Sequence, residues 1–119
     1  MPSPRRGEIW FTKLPTDPPE KGSRPVIIVS VDHRNQHPRA DTVLAVPLST
    51  SVHKSDVSSH LTLEPGQTGL TERQIARAED LTVIRKSALH PPRERLRMIS
   101  SYQICELARK VGLAMGCVL

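Results

Sequence analysis

Gly22-Ser23-Arg24-Pro25-Val26-Ile27-Ile28-Val29-Ser30 is the stretch on which the fold turns: a polar loop ending in an arginine runs straight into an unbroken apolar run. Pro25 has no backbone donor and a fixed φ, so it suits the first residue of a strand and biases Arg24 away from helix. Residues Pro25 to Asp32 then read as a strand apolar on both faces, which belongs at the centre of a sheet or barrel. Taken alone, Arg24 reads as a solvated surface arginine. Its partners elsewhere in the chain change that reading.

Working outward, Gly7 to Thr12 (Gly-Glu-Ile-Trp-Phe-Thr) reads as a first strand with Trp10 or Ile9 pointing into the core. Between it and Arg24, Lys13 to Ser23 carries Pro15, Pro18, Pro19 and Gly22 and is expected to be a long loop. His33 to Asp41 is a basic polar loop, and Thr42 to Ser49 a third strand in which Pro47 marks an edge or bulge. A charged linker leads to a fourth strand, Ser58 to Leu63, closed by Pro65-Gly66. Leu70 to Ala78 and Asp80 to Arg85 read as extended, Lys86 to Leu89 as one helical turn, and Arg95 to Ile99 as a final strand.

The period then changes. Ser100 and Gln103 stand at capping-box spacing, and Ile104, Leu107, Ala108, Val111 and Met115 recur at helical intervals before the stop signal Gly116. The expected architecture is mainly β, a small SH3-like antiparallel barrel with a C-terminal α-helix, formed by residues 1–119 as a single domain.

Composition agrees. A chain of 119 residues is long enough to bury a core, and with one Trp, one Phe and one Tyr that core must be aliphatic, which favours strands. The net charge of +5 is spread over loops and suits a polyanionic partner. No apolar run approaches the length of a membrane span, and Pro2, Pro4 and Gly7 leave no signal-peptide core, so a cytoplasmic protein with no membrane partner is expected. Cys105 and Cys117 form neither a metal pattern nor a disulfide framework and read as reduced, structural thiols; on one helix they would stand about 18 Å apart. His33, His37, His53, His60 and His90 sit singly in polar or Pro-rich surroundings. Neither a metal nor another cofactor is expected.

In Arg77-Ala78-Glu79, strand geometry would put both charged side chains on one face, their Cα atoms about 6.6 Å apart. By itself that is a weak surface ion pair. With Arg24 and the hydroxyls of Ser49 and Thr50 it becomes a phosphate site: arginines and hydroxyls match phosphate geometry, and a carboxylate supplies a base.

These residues also carry a family likeness. Arg6-Gly7-Glu8-Ile9-Trp10, Gly22 to Ser30, Val46-Pro47-Leu48-Ser49-Thr50, and Gly69-Leu70 leading to Arg77-Ala78-Glu79-Asp80 and Thr82-Val83-Ile84 resemble, in order and spacing, the MazF/PemK/Kid toxin endoribonucleases of toxin-antitoxin modules. The resemblance implies an SH3-like barrel that dimerises, cleaves single-stranded RNA without metal, and is neutralised by a largely disordered cognate antitoxin. It puts the family's loop arginine on Arg24, its strand-end hydroxyl on Ser49 with Thr50 beside it, and its later arginine and carboxylate on Arg77 and Glu79. The catalytic set implied is thus Arg24, Ser49, Arg77 and Glu79. RNA contacts are expected from Glu20, Lys21, Thr50, Arg34, Asn35, Arg39 and Gln74. The chain departs from the family at Pro18-Pro19-Glu20-Lys21, where Gly-His-Glu-Gln or Gly-Ser-Glu-Gln is common, and at Gln36, where arginine is common.

The mechanism expected is removal of a ribose 2′ proton by Glu79 and in-line attack to give a 2′,3′-cyclic phosphate. Arg24 and Arg77 would stabilise the phosphorane charge. The competing reading is a non-catalytic barrel, either a gyrase-poison-like toxin or a module that binds only RNA or antitoxin. Gyrase poisons of that class end in Trp-Gly-Ile, whereas this chain ends Gly116-Cys117-Val118-Leu119.

Overall fold

A computed structural model describes residues 2–51 and 57–117. Six strands, β1 (Ile9–Lys13), β2 (Ser23–Ile28), β3 (Thr42–Ser49), β4 (His60–Leu63), β5 (Gln74–Arg77) and β6 (Thr82–Arg85), form one antiparallel sheet. Its order is β1-β2-β3-β5-β4, with β6 also paired to β3. Two four-residue helices, α1 (Asp32–Asn35) and α2 (Pro65–Thr68), lie between strands, and α3 (Ser101–Ala114) ends the described chain. Mainly antiparallel β structure with a C-terminal helix is what the residue pattern predicts. The hydrogen-bonded path ends at β1 on one side and β4 on the other.

β2 is central because its second half, Val26-Ile27-Ile28, is apolar at every position. Val26, Ile27 and Ile28 are all fully buried, and they split between two cores. Ile27 faces Ile9, Val46, Leu48, Leu63, Ile104 and Leu107 beneath α3, while Val26 and Ile28 pack with Leu14, Val43, Ala45, Ile84 and Leu89 on the other face. The alternation Val43/Ala45 against Val46/Leu48 divides β3 in the same way, with the step falling at Ala45-Val46. Both candidate core residues of β1 are used: Ile9 in the first cluster and Trp10, partly buried, against the second.

β3 changes partners along its length. Thr42 to Ala45 pair with β6, Leu48 and Ser49 pair with β5, and Pro47, which has no N–H to give, lies at the changeover. This crossing brings the ends of β3 and β5 to the start of β2, and there the charged residues collect.

The structure corrects several sequence expectations. Arg95 to Ile99 is not a strand: Arg97 N donates to Thr68 O and Ile99 N to Gly7 O, so the segment is tied down by single bonds and not by a ladder. The extended stretch from Leu70 shrinks to β5, and β4 begins at His60. Pro19–Lys21 and Lys86–Ala88 each form one turn of 3₁₀ helix, the first inside the Pro-rich loop and the second where a helical turn is expected. In α3, Ser100 caps the helix by accepting from Gln103 N, and Ile104 and Leu107 are buried. Met115, however, is 76% exposed, so the apolar stripe gives out before the helix end. Cys105 and Cys117 are free and exposed, not enclosed as structural thiols would be. Residues 52–56 of the charged linker, with His53, lie outside the described residues.

Candidate functional site

Arg24 sits where backbone pairing between β2 and β3 stops at Val26 and Pro47. Continuing the register would set Arg24 opposite Ser49, but here the side chain takes over from the backbone. Arg24 Nη2 donates to Leu48 O at 2.8 Å, and Nη1 donates to both carboxylate oxygens of Asp17, at 3.0 and 3.2 Å. The guanidinium fork thus ties the Pro-rich loop to the end of β3. Its side chain is only 16% exposed.

Arg77 ends β5, but Glu79 is not on a strand. It lies in a 3₁₀ turn, Ala78–Asp80, whose Ala78 N donates to Ser59 O. Strand alternation therefore does not pair Arg77 with Glu79; the turn does, setting Arg77 Nε 3.5 Å from Glu79 Oε2 and 3.2 Å from Asp80 Oδ2. Neither approach has hydrogen-bond geometry, and Nε is a buried donor without an acceptor among the described residues.

Glu79 has two closer partners. Ser59 Oγ donates to Oε1 at 3.0 Å, and His60 Nε2 lies 2.7 Å from Oε2. Burial works against the negative charge, but hydrogen bonds from His60, the backbone and Ser59 outweigh it and hold the carboxyl below the usual glutamate range. Glu79 is consequently ionised at neutral pH.

A cleft of about 410 Å³ opens between these elements, lined among others by Asp17, Lys21, Arg24, Pro47, Arg77 and Asp80. It gathers three cations from the Pro-rich loop, β2 and β5, offset by two aspartates. Ser49 and Thr50 follow directly on the Leu48 carbonyl gripped by Arg24; Ser49 Oγ accepts from Ser51 N, and Thr50 is exposed.

The other expected RNA contacts are dispersed. Glu20 and Lys21 are exposed on their 3₁₀ turn, and Arg39 is exposed in its loop. Arg34 donates to Thr42 Oγ1 at 2.9 Å. Gln74 is 5% exposed, its amide donating to Glu72 O. Asn35 departs most from expectation: it is wholly buried, its amide donating to Ser30 O and Asp32 Oδ1 and its carbonyl accepting from Ser30 Oγ. Those bonds close the turn after β2, so the side chain belongs to the interior and does not face a ligand.

Asp17, Ser59, His60 and Asp80 are not marked as site residues by the sequence pattern. His60 reads as an isolated histidine in sequence; only the β4–β5 register, which sets it opposite Arg77, brings it to Glu79. Asp17 lies seven residues from Arg24 across a loop whose path no periodicity specifies.

Fold and site together define a small antiparallel β protein with a basic cleft where a strand end, a Pro-rich loop and a 3₁₀ turn meet. The model of the PemK-like, MazF-like toxins of type II toxin-antitoxin systems matches residues 5–115, and the chain belongs to that family. Solved structures agree on the fold. A MazF from Deinococcus radiodurans superposes with a TM-score of 0.72 at 18% identity, over 98% of this chain and 99% of its own. The Mycobacterium tuberculosis toxin MazF-mt6 gives 0.70 at 18%, over 94% and 99%. A mycobacterial endoribonuclease in complex with its cognate antitoxin gives 0.68 at 22%, over 100% and 99%. Comparison with curated protein sequences finds no match. Among the described residues, no helix is long and apolar enough to cross a membrane, and no group of three or more His, Cys, Asp or Glu is placed to hold a metal ion.

Proposed function

We propose that this chain is a toxin endoribonuclease that cleaves single-stranded RNA without a metal ion and is neutralised by a cognate antitoxin. The observation that carries the reading is the convergence of Lys21, Arg24 and Arg77 on one cleft, with an ionised Glu79 3.5 Å from Arg77. Family membership and the structural neighbour named as an endoribonuclease bound to its antitoxin support it.

In the proposed reaction Glu79 accepts the proton of a ribose 2′-hydroxyl, the 2′-oxygen attacks the adjacent phosphorus in line, and the bond to the 5′-oxygen breaks. The products are a 2′,3′-cyclic phosphate and a 5′-hydroxyl, whose proton comes from water. Arg24 and Arg77 stabilise the charge gathering on the non-bridging oxygens, with Ser49 or Thr50 donating a further hydrogen bond. A guanidinium gives up protons poorly at neutral pH, so Arg77 acts through its charge. In-line attack needs a flexible backbone, which an A-form helix does not offer, so the substrate is single-stranded. Lys21, Glu20, Thr50, Arg34 and Arg39 are the groups left to contact it, with Gln74, at the start of β5, the least accessible of the set. The reading includes a homodimer of SH3-like barrels, one domain per chain, acting in the cytoplasm.

The test is cleavage of RNA oligonucleotides in EDTA by the wild-type protein and Glu79→Gln. The wild type should cut, leaving a cyclic phosphate. Glu79→Gln should lose roughly a hundredfold or more of kcat while still binding RNA. Cleavage of 2′-deoxy substrates, or full activity in Glu79→Gln, overturns the mechanism.

A further inference from the structure

We infer that His60 is a positioning residue for this reaction: from the first position of β4, its imidazole holds the Glu79 carboxylate in the orientation that accepts the 2′ proton. The inference rests on the reading of Glu79 as the base.

The geometry distinguishes the two residues. The His60 side chain is 5% exposed, too enclosed to meet a nucleotide, while that of Glu79 is 29% exposed. Only the carboxylate can touch substrate, and the imidazole acts through it. Since a carboxylate can only accept, the His60 Nε2 facing Oε2 at 2.7 Å must carry the hydrogen. Ser59 Oγ holds the other oxygen at 3.0 Å.

One dipeptide, Ser59-His60, therefore grips both carboxylate oxygens. It also anchors the backbone, because Ala78 N donates to Ser59 O at 3.0 Å. A glutamate side chain on an exposed turn would otherwise sample several rotamers. Fixing it from β4 settles where the base stands relative to Arg77, which the register places directly opposite His60. Among the described residues, the charged groups paired with Glu79 are His60 from β4 and Arg77 from β5; Asp80 of its own turn shares Arg77, and Lys110 of α3, the helix packed against that turn, donates to Ser58 O beside the grip. A carboxylate held by two donors has one lone-pair direction per oxygen left to receive a proton.

Steady-state cleavage of a single-stranded RNA oligonucleotide by the full chain tests this. His60→Ala should lower kcat roughly tenfold to a hundredfold with KM within about twofold. The acid limb of its kcat–pH profile should move to higher pH, because a carboxyl that loses a donor to its charged form binds protons more tightly. His60→Gln, whose amide can still donate, should recover most of kcat and guards against a folding defect in the alanine variant. Adding His60→Ala to Glu79→Gln should cost nothing further. Unchanged kcat in His60→Ala, a loss with an unmoved acid limb and no recovery in His60→Gln, or a further loss on the Glu79→Gln background each overturn the positioning role. Full activity in Glu79→Gln alone instead removes the reading of Glu79 on which it rests.

Discussion

Asp17 and Arg24 form a bidentate ion pair inside the cleft wall, with Nη1 3.0 Å from Oδ1 and 3.2 Å from Oδ2 and both side chains less than a fifth exposed. Asp17 thereby occupies one edge of the guanidinium proposed to hold the scissile phosphate, while Leu48 O occupies the other. The pair serves the fold and, in the proposed reaction, competes with the substrate. Asp17→Asn should lower stability by about 1–2 kcal/mol, since a sheltered cation loses its counter-charge but keeps one acceptor. It should also lower KM for RNA, because a neutral amide competes less with phosphate. Urea unfolding and steady-state cleavage measure both, and an unchanged unfolding midpoint refutes the structural part.

What the sequence reveals, and what it conceals, divides along a physical line. Val26, Ile27 and Ile28 announce a strand buried on both faces because an apolar residue at every position has no other economical place. Arg24 is legible beside them because Pro25 fixes the boundary. Arg95 to Ile99 shows a strand-like alternation yet finds no neighbour to pair with, and pairing is a tertiary fact. Strand alternation pairs Glu79 with Arg77, but a 3₁₀ turn, not a pleat, is what joins them. His60 and Asp17 carry no local mark at all, since register and loop path bring them to their partners. Asn35 reads as a surface polar group only because sequence does not reveal that the turn after β2 is closed from within.

That burial makes Asn35 a stability residue. Its amide and carbonyl serve Ser30 O, Asp32 Oδ1 and Ser30 Oγ, and Ser30 Oγ in turn accepts from Leu44 N on β3. Asn35→Ala leaves these groups without partners in a closed interior and should cost about 2–3 kcal/mol in thermal or urea unfolding. KM for RNA should stay at the wild-type value. A stable variant with weakened RNA binding would return Asn35 to the recognition surface.

Gly7 holds the chain between β2 and the start of α3. Its N donates to Ile28 O at 2.7 Å and its O accepts from Ile99 N at 2.8 Å, at a φ of 92°. A Cβ there would come within 2.6 Å of Ile99 O, a backbone atom that cannot step aside. Gly7→Ala combines a left-handed backbone with a clash and should cost at least about 2 kcal/mol. Measured stability within about 0.5 kcal/mol of wild type would show that the contact yields easily.

Acid should destabilise the protein through Glu79. Its carboxyl is held below the usual range when folded, as is that of Asp32, which accepts from Arg6 N at 2.7 Å but is well solvated and contributes less. Groups whose folded pKa is depressed add stability that is fully present above their unfolded pKa, about 4. That stability is lost as pH falls through the lower folded value, because the unfolded chain binds the extra protons. Unfolding free energy should therefore be level from neutral pH to about 5 with respect to these groups and fall below about 4. Glu79→Gln has no proton to take up, so its stability should fall less steeply over the same range, narrowing the gap to wild type as pH drops. Parallel curves for the two proteins in urea titrations at several pH values would mean that the hydrogen bonds from His60 and Ser59 do not favour the charged carboxylate.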